Sequence, residues 1–144
     1  MSAYTAEVTG VSESPTKIQM AVRQFSFAID EPPALGGTDA GPNPVELVLS
    51  SVAGCLNVVI HMVAVERGVV IRSLRLAVTG QLDTARLMGK PTDARAGFAS
   101  VVVTTEIDSD ASDEEIDAIL AIAETRCPVA DNLGAPTPVS LRRA

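Results

Sequence analysis

Two cysteines carry most of the chemistry this sequence offers. Cys55 stands in the middle of a long apolar stretch, and Cys127 stands far along the chain in a Cys-Pro step. Only a thiolate is nucleophilic, and a free cysteine has a pKa of about 8.5. Burial raises that value, because it disfavours the charged form. Either cysteine alone reads first as a small buried hydrophobe. Together they admit a second reading, a redox-active pair, if the fold brings their Cα atoms within about 7 Å. The single histidine makes histidine metal clusters and histidine triads weak readings.

A reactive Cys55 would need activation. It lies beyond the first turn of its expected helix, where the helix dipole gives little help. It therefore needs a nearby cation, and arginine stays charged in an apolar site. Arg23 interrupts an apolar strand pattern, and Arg126 adjoins Cys127; each also reads as a solvated surface charge. A buried arginine would want a carboxylate. Glu46 is the acid in the first turns of the long helix, where capping is its simpler and compatible role. Nine residues separate Glu46 from Cys55, about 180° around an ideal helix. The two do not share a face unless the helix breaks, for example near Gly54. Otherwise they line opposite sides of a pocket, or sites shared between subunits.

The elements that must position these residues follow from patterning. Tyr4 to Val8 alternates weakly and is expected to form a first strand, with a turn at Val11 to Pro15. Ile18, Met20 and Val22, then Phe25, Phe27 and Ile29, give two strands or one strand irregular at Arg23. Asp30-Glu31-Pro32-Pro33 ends them, since proline donates no ladder bond. After a Gly/Pro loop, Asn43, Pro44 and Glu46 form an N-x-x-E capping box. The helix it opens is expected to reach about Arg67, with Gly68 as its left-handed terminus.

Arg72 to Leu82 and Phe98 to Ile107 read as strands around a polar loop, Asp83 to Gly97. Ser112 and Glu115 open a second, amphipathic helix to Arg126, which Pro128 stops. Pro138 to Leu141 is expected to be a short edge strand. The order gives a single α+β domain spanning 1–144. The loop glycines Gly36, Gly37 and Gly41 precede a helix, but their spacing matches no phosphate-binding motif.

Of the 144 residues, 47% are hydrophobic and 20% charged, which is a globular composition. With 3% aromatics and no tryptophan, the core is aliphatic. The net charge of −7 argues against nucleic acid and against an anionic membrane surface. The start, MSAYTAEVTG, lacks a secretory pattern, so the cytoplasm is expected. Thiols there are normally reduced. The long helix is long enough to span a bilayer, but Glu46, Asn57, His61 and Glu66 punctuate it. It reads as a core helix, apolar on all sides, that calls for burial on all sides. One subunit of this size would struggle to cover it, so a second is expected to help.

Several motifs combine. Gly36-Gly37-Thr38-Asp39-Ala40-Gly41-Pro42-Asn43-Pro44-Val45-Glu46-Leu47, followed by Ala53-Gly54-Cys55, resembles the signature of the OsmC/Ohr family. These are the osmotically inducible protein C and organic hydroperoxide resistance proteins. Asp30-Glu31-Pro32-Pro33, Gly80-x-Leu82-Asp83, Gly97-Phe98 and Cys127-Pro128-Val129-Ala130 extend the likeness over nearly the whole chain. The Val-Ala-Gly-Cys-Leu context of Cys55 is closer to the general OsmC branch.

The resemblance implies an α+β, intertwined homodimer with antiparallel sheets, a long buried central helix and active sites at the interface. It implies a thiol peroxidase preferring organic hydroperoxides. In that role Cys55 would be peroxidatic, Cys127 resolving, and Glu46 the acid that orients an activating arginine, for which Arg23 is the best candidate. Cys55 would become a sulfenic acid, then a Cys55–Cys127 disulfide, and a dithiol of lipoyl or small-molecule type would reduce it. No metal or bound cofactor is called for. Two other classes compete: a noncatalytic dimeric module holding an apolar ligand, and a thiol redox sensor.

Overall fold

The computed structural model describes residues 3–135 and 137–143. The chain divides into two compact units, residues 1–48 and 49–144.

The first unit is built on a three-stranded antiparallel meander: β1 (Thr9–Ser12), β2 (Ile18–Val22) and β3 (Phe25–Ile29). Strand β1 corrects the sequence reading. Tyr4–Val8 has no regular structure, and Val11 and Ser12, expected in a turn, are in the strand. All four β1 residues are exposed, so no burial alternation marks it; backbone pairing from Thr9↔Ala21 to Ser12↔Ile18 holds it. The turn sits at Glu13–Lys17, where the Lys17 carbonyl accepts from the Glu13 and Ser14 N–H groups.

The irregularity at Arg23 is a two-residue hairpin turn between Val22 and Phe25, with Arg23 at φ +50°. A short 3-10 turn, Pro33–Leu35, and the glycine-rich loop then lead to helix α1 (Pro44–Glu66). Asn43 and Glu46 close the expected capping box. The Asn43 N–H donates to Glu46 Oε2 at 2.8 Å, and the Glu46 N–H to Asn43 Oδ1 at 2.9 Å. At the far end Gly68 takes φ +69°, where a side chain would be strained.

In the second unit β4 (Ile71–Gln81) and β5 (Ser100–Ser109) form a long antiparallel pair with an irregularity between Ile71 and Ser73. Leu74, Leu76, Val78 and Val103 turn one face to the core, as the period of two requires. Helix α2 (Asp113–Arg126) starts at Ser112, whose hydroxyl accepts from the Glu115 N–H. It buries Ile119 and Ala123. A third helix, α3 (Pro128–Gly134), follows immediately and was not expected from the sequence. Pro138–Leu141 forms no strand: Val139 and Leu141 are fully exposed, and no described strand pairs with the segment.

Val52, Leu56, Val59, Ile60, Val63 and Ala64 form the buried stripe of α1 and share one cluster with Ile119, Ala123 and Cys127. Each larger aliphatic side chain among them contributes about 1.5–3 kcal/mol through burial. The chain by itself covers one face of α1, not every face: Val58, Met62 and Val65 remain exposed. Among the described residues, α1 is the one helix long and apolar enough to cross a membrane. Its buried stripe packs as a core helix does.

Candidate functional site

The last turn of α2 delivers Cys127 into the core. Pro128 lacks an N–H and forbids continuation, so the chain leaves the helix at Cys127 with φ −81° and ψ 108°. The same residue then caps α3, with Pro128 at the first helical position, where its missing donor costs nothing. The Cys127 sulfur accepts from the Ala130 N–H at 3.4 Å. One residue thus ends one helix and begins the next, which fixes its side chain in a buried position.

Cys55 comes from α1 and packs against the same cluster while keeping partial exposure. The two thiols lie side by side in that cluster, close enough for Cys127 to act on Cys55. Both are free. Burial pushes the Cys55 thiol up, and the neighbouring Cys127 adds to that. The Val129 N–H acts in the opposite direction by favouring the thiolate. The start of α3 therefore presents Val129 to one sulfur and Ala130 to the other.

Three arginines of the second unit are held in ion pairs. Arg126, the neighbour of Cys127, makes a bidentate pair with Glu66 at 2.6 and 3.0 Å. Arg67 pairs with Glu115, and Arg72 with Asp108 and Asp110. No cation figures among the groups that move the Cys55 titration.

In the first unit Arg23 is exposed at its hairpin turn, with its guanidinium 5.1 Å from the centroid of the Phe25 ring. Among the described residues no carboxylate forms an ion pair with it. Glu46 is held by its capping box, and α1 runs unbroken past Gly54. The structure thus brings Cys55 and Cys127 together, while Arg23 lies over the Phe25 ring and Glu46 closes the Asn43 capping box.

The glycine-rich loop has an anchor that sequence reasoning missed. Asp30 is fully buried, and its carboxylate accepts from the N–H groups of Glu31, Thr38 and Ala40 and from the Thr38 hydroxyl. The Thr38 hydroxyl bond, with the backbone donors, outweighs burial and holds this carboxyl well below the usual range. The loop N–H groups that resemble an anion cradle are thus turned onto an internal carboxylate. Gly37 is required here, because a β-carbon would overlap the Glu31 carbonyl. The readable signal was a Thr eight residues beyond an Asp, with a Gly-Gly pair between. Among the described residues no cluster of three His, Cys, Asp or Glu side chains suits a metal ion.

Among curated proteins, none matches the chain. Among solved structures, an OsmC-like protein from Mycoplasma pneumoniae is similar, with a TM-score of 0.79 and 25% identity over 91% of this chain and 88% of that one. An organic hydroperoxide resistance protein OsmC from Legionella pneumophila gives 0.70 and 19%, covering 92% and 91%. An organic hydroperoxide resistance protein from Elizabethkingia anophelis gives 0.71 and 16%, covering 91% and 89%. These last two establish likeness of fold. The family model described as OsmC-like protein matches residues 37–142, and the chain belongs to the OsmC-like family.

Proposed function

We propose that this protein is a cysteine-based peroxidase that reduces organic hydroperoxides. The observation that carries the reading is the contact between Cys55 and Cys127, partly exposed and buried respectively. That asymmetry suits a reacting thiol open to substrate and a resolving thiol kept behind it. Similar folds in two proteins named for organic hydroperoxide resistance support the substrate class.

The Cys55 thiolate attacks the hydroperoxide O–O bond. One oxygen stays on sulfur as a sulfenic acid, and the other leaves as the alcohol after taking a proton. The Cys127 thiol then displaces that oxygen as water, and a Cys55–Cys127 disulfide remains. An external dithiol reduces it and is itself oxidised to a disulfide. Aliphatic surroundings favour a peroxide with an organic tail.

A buried thiol needs a cation to react as a thiolate. Following the family resemblance, we assign that role to Arg23 and its orientation to Glu46. We further assign the working form to an intertwined homodimer, in which a second copy covers Val58, Met62 and Val65 of α1. The chain acts as one OsmC-like domain within it.

One observation favours a second reading. A thiol pushed upward with no cation beside it is what an inert, apolar-ligand module would contain. Turnover separates the two. With a dithiol reductant present, the wild-type protein should consume an organic hydroperoxide continuously, and Cys55→Ser should not. Equal turnover in Cys55→Ser, or none in the wild type, would remove the peroxidase reading.

A further inference from the structure

The disulfide formed in the proposed cycle has two sulfurs, and the chain exposes them unequally. Cys127 is 1% exposed and belongs to the buried cluster that holds Ile60, Val63, Ile119 and Ala123. Cys55 packs against that cluster from its margin and keeps partial exposure. Every member of the cluster lies in the second unit.

Thiol–disulfide exchange depends on which sulfur the incoming thiolate can reach and on how readily the other sulfur leaves. The displacement is in line, with the nucleophile approaching one sulfur from the side opposite the other. At Cys127 an attacking group would have to enter packed aliphatic side chains, where interiors leave few voids of any size. At Cys55 it approaches from outside the cluster. Departure is also prepared at Cys127. The Ala130 N–H already donates to the Cys127 sulfur at 3.4 Å. Such a bond strengthens as the sulfur gains charge, since hydrogen bonds to an ionised group are about twice as strong as neutral ones.

We propose that the reducing thiol enters at Cys55: its sulfur bonds to the Cys55 sulfur, the Cys55–Cys127 bond breaks, and Cys127 leaves as a thiolate that accepts from the Ala130 N–H. The proton lost by the incoming thiol goes to Cys127. The second thiolate of a dithiol reductant then attacks the reductant sulfur bonded to Cys55. The reductant's own disulfide forms, and Cys55 leaves as a thiolate, which the Val129 backbone favours, and takes the second proton. Two electrons pass from the dithiol to the protein. One sulfur, Cys55, thus meets both hydroperoxide and reductant, and Cys127 meets neither. The inference rests on the peroxidase reading, and its test is separable from it because the test uses no hydroperoxide.

The reduced protein is oxidised with diamide, which takes two electrons and two protons from the thiols. The disulfide form is mixed with excess mercaptoethanol and quenched with acid before reduction is complete. Free thiols are blocked with N-ethylmaleimide in denaturant, and the peptides are mapped without reduction. The monothiol should stand on Cys55 and the maleimide on Cys127, in about tenfold or greater excess over the reverse pattern. A smaller excess or the reverse pattern would overturn the inference, and so would two thiols left free by diamide. If the mixed species is too short-lived to map, single-cysteine proteins decide. The thiol of Cys127→Ser should exchange with dithiodipyridine about tenfold or more faster than the thiol of Cys55→Ser, both proteins showing native circular dichroism. Rates closer than that would overturn the inference. Because diamide replaces the hydroperoxide, the entry point is judged even if Cys55→Ser retains turnover and the peroxidase reading falls.

Discussion

Cys55 and Cys127, separated by two strands and a helix in the sequence, adjoin in one apolar cluster, and Cys127 is the more deeply buried. This places the more accessible sulfur in front of a protected one. At the start of α3 the Ala130 N–H donates to the Cys127 sulfur, and the Val129 backbone acts on Cys55 to favour its thiolate.

Cys127→Ser should stop the cycle after one event. Serine is a favoured N-cap, so α3 keeps its start and the fold is retained. One equivalent of hydroperoxide should be consumed and a sulfenic acid should persist on Cys55. A sulfenic-specific label followed by peptide mass spectrometry reads this; an unlabelled, fully reduced Cys55 would count against the order of attack.

Arg23→Ala should raise the Cys55 pKa above that of the wild-type protein. With Arg23 present, the thiolate should form at lower pH and alkylate faster at neutral pH. Alkylation rate against pH measures this. Superimposable profiles for the two proteins would move the activating role to another cation.

Met62→Asp should weaken dimer formation, since it puts a charge on the exposed apolar face of α1. Sedimentation should show monomer, and turnover should fall with it. A dimer of wild-type stability would place the interface elsewhere.

Acid should expose the Asp30 knot. The folded-state pKa of Asp30 is depressed, against about 3.9 in an unfolded chain. The stabilisation is present above the unfolded value and is lost as pH falls from about 4 toward the folded one. Glu66, Asp108, Glu114 and Glu115 are shifted the same way and add to the slope. Asp30→Asn should lower the urea midpoint at neutral pH and flatten its decline below about pH 4. An unchanged decline would show that the other carboxylates account for it.

Ile60→Ala and Ile119→Ala should each cost about 2–5 kcal/mol in urea unfolding, because both side chains lie in the shared cluster without exposure to relieve the cavity. A loss below about 1 kcal/mol would mean that the cluster collapses around the void.

The parts of the fold that sequence reveals are those written in local chemistry. Asn43-Pro44-x-Glu46 and Gly68 bracket α1 because caps and left-handed termini use adjacent residues. Ser112 marks α2 for the same reason. Strands β4 and β5 show because one face is buried and the other is not. Thr9–Ser12 is silent, because its side chains are all exposed and its stability lies in backbone pairing. Helix α3 hides behind Cys127-Pro128, which reads as a stop although proline is equally suited to a first turn. Pro138–Leu141 has the alternation of a strand and no described strand to pair with. The thiol contact and the Asp30 knot are invisible for a different reason. Each depends on chain closure over distances that no periodicity records, although the cysteine motifs and the glycine-rich loop name the participants.

The most direct measurement counts thiols after one equivalent of an organic hydroperoxide is added to the reduced protein, with the peptides mapped without reduction. A dithiol peroxidase should lose both thiols to a Cys55–Cys127 disulfide, with one alcohol formed for each disulfide. Two intact thiols beside unconsumed hydroperoxide would contradict it.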